Sequence, residues 1–177
     1  MPKRSLGLFA AGLAALAIAW LAASGVIAGN DKSHVKASFT GYEEVPTVSS
    51  SGHGTLDLRI DDGAQTIEYT LTYGGLSSAA AASHIHLGAR STAGGVSAFL
   101  CGGGSKPACP PGTTSDATVT GTIVASDVVG PTSQGITAGE LGELIDAIRA
   151  GVTYANVHTS TFPGGEIRGQ INDANAR

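Results

Sequence analysis

The chain of 177 residues has one Met, one Trp and two Cys, and the Met and the Trp both fall within the first 20 residues. Beyond them there is no thioether for a Met-rich copper carrier or an axial Met ligand. There is also no indole for a cation-binding cage. Charge is scarce: 14% of residues, ten Lys+Arg against fourteen Asp+Glu, for a formal net charge of −4. A weakly acidic chain without clustered bases is excluded as a nucleic-acid binder. No G-x-S-x-G is found, which removes the strained elbow that presents a hydrolase serine. Gly102-Gly103-Gly104 precedes a Pro-rich stretch rather than a helix, so it is no phosphate cradle. What is plentiful is glycine, 26 residues, on a 42% hydrophobic background. That is enough apolar material for a core, in a composition that suits a turn-rich, exported β protein.

Lys3 and Arg4 open the chain, an apolar run follows from Leu6 to Leu21, and small residues stand near Ala28. The pattern predicts a signal peptide over 1–28, cut after Ala28. The rival is an uncleaved N-terminal anchor, the single route to a membrane that the sequence offers. Either way the basic end favours the inner side and places Gly29 onward outside the cytoplasm, secreted or in the periplasm or envelope. Losing Lys3 and Arg4 would take the formal charge from −4 to −6. Residues 29–34 read as a linker, 35–171 as one β domain and 172–177 as a polar tail.

Period-two alternation marks the strands. His34–Tyr42 alternates loosely. Leu56, Leu58 and Ile60, then Ile67, Tyr69, Leu71 and Tyr73, alternate around Asp61-Asp62-Gly63-Ala64, a strong hairpin signal. Ala79–Leu87, Val96–Cys101, Thr118–Val124, Val152–Thr159 and Glu166–Ile171 complete the set. One helix is expected: Thr137 and Glu140 match a capping box, Leu141, Leu144, Ile145 and Ile148 form one apolar stripe, and Gly151 ends it. The expected fold is all-β: a Greek-key-like sandwich or barrel of about seven strands with one short helix.

Cys101 and Cys109 lie close together in a chain read as exported, so a disulfide is expected, pinning the Gly102–Pro111 loop. The alternative is a thiolate metal site, but structural zinc needs four ligands and only two thiols exist.

His84 and His86 are the sharpest chemical feature. On a strand, residues i and i+2 face one side, so both imidazoles project together while Ile85 and Leu87 point the other way. His158 shares a face with Tyr154 and Asn156 on a later strand. Three imidazoles with an open position would suit Cu(II) or Zn(II). The competing reading is histidines that pack half-buried and hydrogen-bond to carbonyls or to Asn156. Glu166 and Arg168 share a strand face: Glu166 could orient a ligand histidine and Arg168 could attract an anion, or the two could form a structural pair. His34 and His53 sit in polar surroundings and are expected to be exposed.

Four ordered motifs, Thr40-Gly41-Tyr42-Glu43-Glu44-Val45-Pro46, Ser83-His84-Ile85-His86-Leu87-Gly88, Tyr154-Ala155-Asn156-Val157-His158-Thr159 and Phe162-Pro163-Gly164-Gly165-Glu166-Ile167-Arg168-Gly169-Gln170, resemble the CHRD domain, named after the extracellular growth-factor antagonist chordin. The resemblance runs from about Val35 to Ile171 and implies an exported all-β module. It does not carry growth-factor antagonism, which in chordin rests mainly on cysteine-rich modules that this chain lacks. The H-x-H strand, the late histidine and Arg168 also loosely resemble copper–zinc superoxide dismutase, without its bridging histidine or its zinc-site cluster.

The function expected is therefore a non-catalytic exported binding module with one copper or zinc ion on His84, His86 and His158, supported by Asn156, Glu166 and Arg168. No organic cofactor is expected, and the partner would be an extracytoplasmic protein or a glycan. The alternatives are a dismutase-like copper redox enzyme and a metal-free structural module of the envelope or matrix.

Overall fold

A computed structural model describes Met1 and residues 33–172. The expected leader over 1–28 therefore lies outside the described residues apart from Met1, as do most of the linker and of the tail. Eight strands form one antiparallel sheet: β1 (His34–Thr40), β2 (His53–Asp61), β3 (Thr66–Gly74), β4 (Ala80–Leu87), β5 (Gly95–Cys101), β6 (Ala117–Ile123), β7 (Thr153–Thr159) and β8 (Ile167–Ile171). Their order is β5-β4-β7-β8-β1-β2-β3-β6. The choice between sandwich and barrel resolves to a barrel: the single sheet curls until its edges, β5 and β6, come together. Read round the barrel, β4, β5 and β6 run in succession and β7 returns to lie beside β4, a Greek-key path. The count is eight against about seven expected. The loosely alternating His34–Thr40 is a full strand, paired along its length with β2 and touching β8 at Thr40↔Arg168.

The alternating residues do what their period predicts. Leu56, Leu58 and Ile60 of β2 and Ile67, Tyr69, Leu71 and Tyr73 of β3 are all buried, and Leu58↔Tyr69 and Leu56↔Leu71 are direct cross-strand partners. At the turn, Asp61 Oδ1 accepts from the Ala64 N–H at 2.8 Å. The β5–β6 seam is closed by side chains. Tyr69 Oη donates across it to the Leu100 carbonyl (2.8 Å), and Tyr73 Oη donates to the Pro110 carbonyl (2.6 Å). Tyr69 crosses β6 at Gly121, its ladder partner, where any Cβ would collide with the phenol hydroxyl. The Cys101–Cys109 disulfide is formed and fastens the loop that spans the seam. Lys106 in that loop donates to the Thr122 carbonyl and pairs with Asp127 at 2.9 Å.

The helix α1 (Leu141–Arg149) buries Leu141, Leu144, Ile145 and Ile148 against the barrel core. It starts later than a capping box at Thr137 would place it. Gly139 is left-handed (φ +91°) and turns the chain first, while Glu140 still accepts from the Thr137 N–H. Its end follows the sequence: Gly151 (φ +72°) donates to the Ile148 carbonyl and Val152 to that of Ala147, the paired closure of a Schellman motif. Among the described residues no helix is long and apolar enough to cross a membrane.

Candidate metal centre

The outer face of β4, β7 and β8 carries the polar residues that the sequence singled out. Ladder pairing sets His84 opposite Asn156, His86 opposite Tyr154 and Asn156 opposite Arg168. His158 therefore lies diagonal to His84, and its ring centroid is 4.7 Å from that of His84. The register of β4 against β5 slips between Ser83 and His84 and again between Ile85 and His86. Such irregularities re-aim side chains beside functional sites. Ile85, between the two histidines, is fully buried in the core.

Folding closes the long sequence gap that separated the third histidine. One ligand atom from each of His84, His86 and His158 lies within 4.8 Å of the others. It is the one cluster among the described residues with three or more His, Cys, Asp or Glu side chains so placed. Two tautomers are fixed by their partners. His86 Nδ1 donates to the Gly94 carbonyl (3.0 Å) and His158 Nδ1 to the Pro163 carbonyl (2.9 Å). A carbonyl can only accept, so both Nδ1 atoms carry the proton and both Nε2 atoms keep a free lone pair. This is the arrangement in which a second-shell carbonyl orients a metal-binding imidazole. His84 Nδ1 is buried with no hydrogen-bond partner. A buried, unpaired nitrogen costs about 1–3 kcal/mol unless something fills the position.

The walls are tight. His84 meets the ring of Phe99 edge-on (4.6 Å), and His86 stacks on Tyr154 (4.6 Å, 4° between planes). Burial pushes the His84 imidazole down to about 3, and the neighbouring His158 and His86 push the same way. His86 and His158 are also lowered, chiefly by burial. All three are thus held neutral, the form that binds metal. The sign of the linkage follows. As pH falls below about 6.5 the unfolded chain takes up protons that the native imidazoles refuse, so the metal-free protein loses stability. For His84 that loss continues down to about 3. Urea midpoints measured from pH 7 to pH 4 should fall, and His84→Gln should remove part of that slope. An identical slope in the variant would contradict the assignment.

The flanking residues divide. Asn156, 3% exposed, sets Oδ1 at 3.1 Å from His86 Nε2 and 2.9 Å from His158 Nε2. Arg168 is buried, with its guanidinium 3.4 Å over the Tyr154 ring and Nη2 donating to the Ala89 carbonyl. It touches the site through Tyr154, which stacks on His86, and is not placed to steer anions from solvent. Glu166 turns away from both of its expected partners. Its carboxylate accepts from Ser50, from Ser77 twice and from Thr159. Being the residue before β8, it faces the serine loops rather than the histidines. His34 and His53 pair with Asp57 and Asp116, outside the cluster; His53 is exposed, whereas His34 is half-buried. A surface cleft of about 370 Å³ on β2, β3 and β6 contains none of the site residues.

One residue that alternation could not find is Glu44, in the irregular segment after β1 and 6% exposed. It meets the amide of Asn156 and the charge of Arg168, yet burial outweighs both and raises its carboxyl to about 7. It packs against Gly165, a left-handed glycine (φ +126°) where a Cβ would collide with the Glu44 carboxylate. The motif residues Glu44, Asn156, His158, Gly165 and Arg168 thus come from separate stretches of chain and meet here. The CHRD domain family model matches residues 35–171. The chain belongs to the CHRD-domain family. The match covers the barrel from Val35 to Ile171 and includes all three histidines of the cluster. No curated protein and no solved structure is similar enough to match this CHRD chain.

Proposed function

We propose that this protein is an exported, non-catalytic CHRD binding module that holds one copper or zinc ion on His84, His86 and His158. The observation that carries the reading is the proton inventory. Two Nδ1 atoms are committed to carbonyls, which frees both Nε2 lone pairs, and a third histidine nitrogen is buried without a partner. Imidazole donors suit these two metals. Export is supported by the basic, then apolar, N-terminal sequence and by the disulfide. The ion would serve a surface that meets an extracytoplasmic protein or glycan. A dismutase-like redox role lacks its steering cation, because Arg168 is buried under Tyr154.

Titration of the metal-free, full-length protein with Zn(II) and Cu(II), read by calorimetry and paramagnetic resonance, tests this. One-to-one binding is expected, weakened about 100-fold or more in His158→Ala with the circular dichroism unchanged. Binding no better than that of the variant would overturn the metal reading. The metal-free structural module would then stand, a reading favoured by the bonds that His86 and His158 make to Gly94 and Pro163. Unfolding of His158→Ala without metal would point the same way.

A further inference from the structure

The oxygen between two of the histidines has a role of its own, and it rests on the metal reading above. Asn156 Oδ1 faces His86 Nε2 and His158 Nε2 at 3.1 and 2.9 Å. Neither contact is an ordinary hydrogen bond. Both Nδ1 atoms already carry the ring proton, because each donates to a carbonyl. A neutral imidazole has one ring proton, so with Nδ1 as donor each Nε2 presents a lone pair. Three lone-pair acceptors therefore converge in a buried place with no proton between them. Rotating the amide would supply two N–H donors. It would also turn the amide oxygen towards Glu44 Oε1, a buried oxygen with no hydrogen-bond partner of its own. The amide nitrogen also packs against Gly165, beside the Glu44 carboxylate.

A cation removes the conflict. Two donors each held about 2.0–2.1 Å from one ion lie about 3 Å apart at the near-right angle of a tetragonal Cu(II) site and about 3.3 Å apart in a tetrahedral Zn(II) one. The observed 3.1 and 2.9 Å lie nearest the tetragonal edge. We infer that Asn156 is a fourth ligand: its amide oxygen joins the three imidazoles in an N₃O donor set, and Glu44 fixes the orientation of the amide. A hard oxygen in the set selects Zn(II) or Cu(II) over Cu(I), which favours sulfur donors.

The test compares Asn156→Asp, Asn156→Ala and the double variant Asn156→Asp/Glu44→Gln in the full-length protein. Zn(II) affinity is measured by competition and the Cu(II) site by paramagnetic resonance, with His158→Ala as control. A ligand oxygen predicts that the introduced carboxylate tightens Zn(II) about tenfold, most clearly in the double variant, where the second carboxylate is gone. It also predicts that Asn156→Ala weakens binding and changes the Cu(II) hyperfine pattern. An amide acting only as a hydrogen-bond donor predicts the reverse: an ionised Asp has no donor, so it would weaken Zn(II) as Ala does, in the single and the double variant alike. That result, or an unchanged Cu(II) spectrum in Asn156→Ala, overturns the inference while leaving the three histidines standing. Wild-type binding no tighter than that of His158→Ala overturns both.

Discussion

Replacing Glu166 by Ala should cost about 4 kcal/mol of folding stability, because four hydrogen bonds to one buried carboxylate are lost together. The carboxylate is completely buried. Ser50 Oγ and the Ser77 N–H donate to Oε1 at 2.6 and 2.8 Å, and Ser77 Oγ and Thr159 Oγ1 donate to Oε2 at 2.7 and 2.8 Å. Burial alone would raise its pKa, but these four bonds win and hold it below the usual range. Hydrogen bonds to a charged acceptor contribute about 1.5–3 kcal/mol each, less than additively, and the stranded Ser77 N–H adds its own desolvation cost. Glu166→Gln should be milder, about 1–2 kcal/mol. Its NH₂ can lie on the Oε2 side, where both neighbours are hydroxyls able to accept, and leave the carbonyl to the Ser77 N–H. The native carboxylate contributes stability above its unfolded pKa of about 4.5, and that contribution is lost as pH falls through its lower folded value. Urea denaturation at pH 7 and pH 3 should therefore show wild type and Glu166→Gln converging in acid. Equal differences at both pH values would contradict the assignment.

Glu166 also marks what the sequence could convey and what it could not. That His84 and His86 share a face follows from a period of two, and that Asn156 and His158 share another follows from the same rule. Both hold because the β4–β7 ladder stays in register from Ala82↔His158 to Leu87↔Thr153. The hairpin at Asp61–Ala64 and the apolar stripe of α1 are legible because the signal is local. Apart from Thr159, the partners of Glu166 are not local. Ser50 and Ser77 lie 116 and 89 residues away in irregular segments. No periodicity reports on them, so alternation suggested an ion pair with the same-face Arg168 instead. Glu44 escaped as a site residue because it sits in a loop, where burial has no pattern to betray it. The β4–β7 adjacency that completes the histidine cluster comes from the Greek-key return of the chain. Sequence spacing shows only that such a return has room to occur.

Arg168 offers the second large effect, and its pH dependence separates charge from packing. The side chain is 2% exposed, lies 3.4 Å over Tyr154 and acts through its charge on the Glu44 carboxyl. Arg168→Met keeps most of the volume and removes the charge. Breaking a direct buried pair costs about 3–5 kcal/mol; Arg168 and Glu44 interact through charge without an ion-pair contact, so the loss should be smaller, about 2–3 kcal/mol at high pH. Here Glu44 can relieve part of that cost by taking a proton. Its folded pKa is already raised from 4.5 to about 7 by burial, and Arg168 is the strongest influence pulling it down. Without Arg168 it must rise further. A carboxyl raised in the native state makes the native state bind the extra proton, so its stability falls as pH rises from 4.5 through the folded value. The variant should therefore lose the full amount at pH 8.5 and clearly less at pH 6. Arg168→Lys retains the charge but not the planar contact with Tyr154, so it should lose about 1–2 kcal/mol at both. Urea titrations of the three proteins at the two pH values give the comparison. A loss in Arg168→Met independent of pH would mean that its hold on Tyr154, and through Tyr154 on His86, outweighs its charge on Glu44.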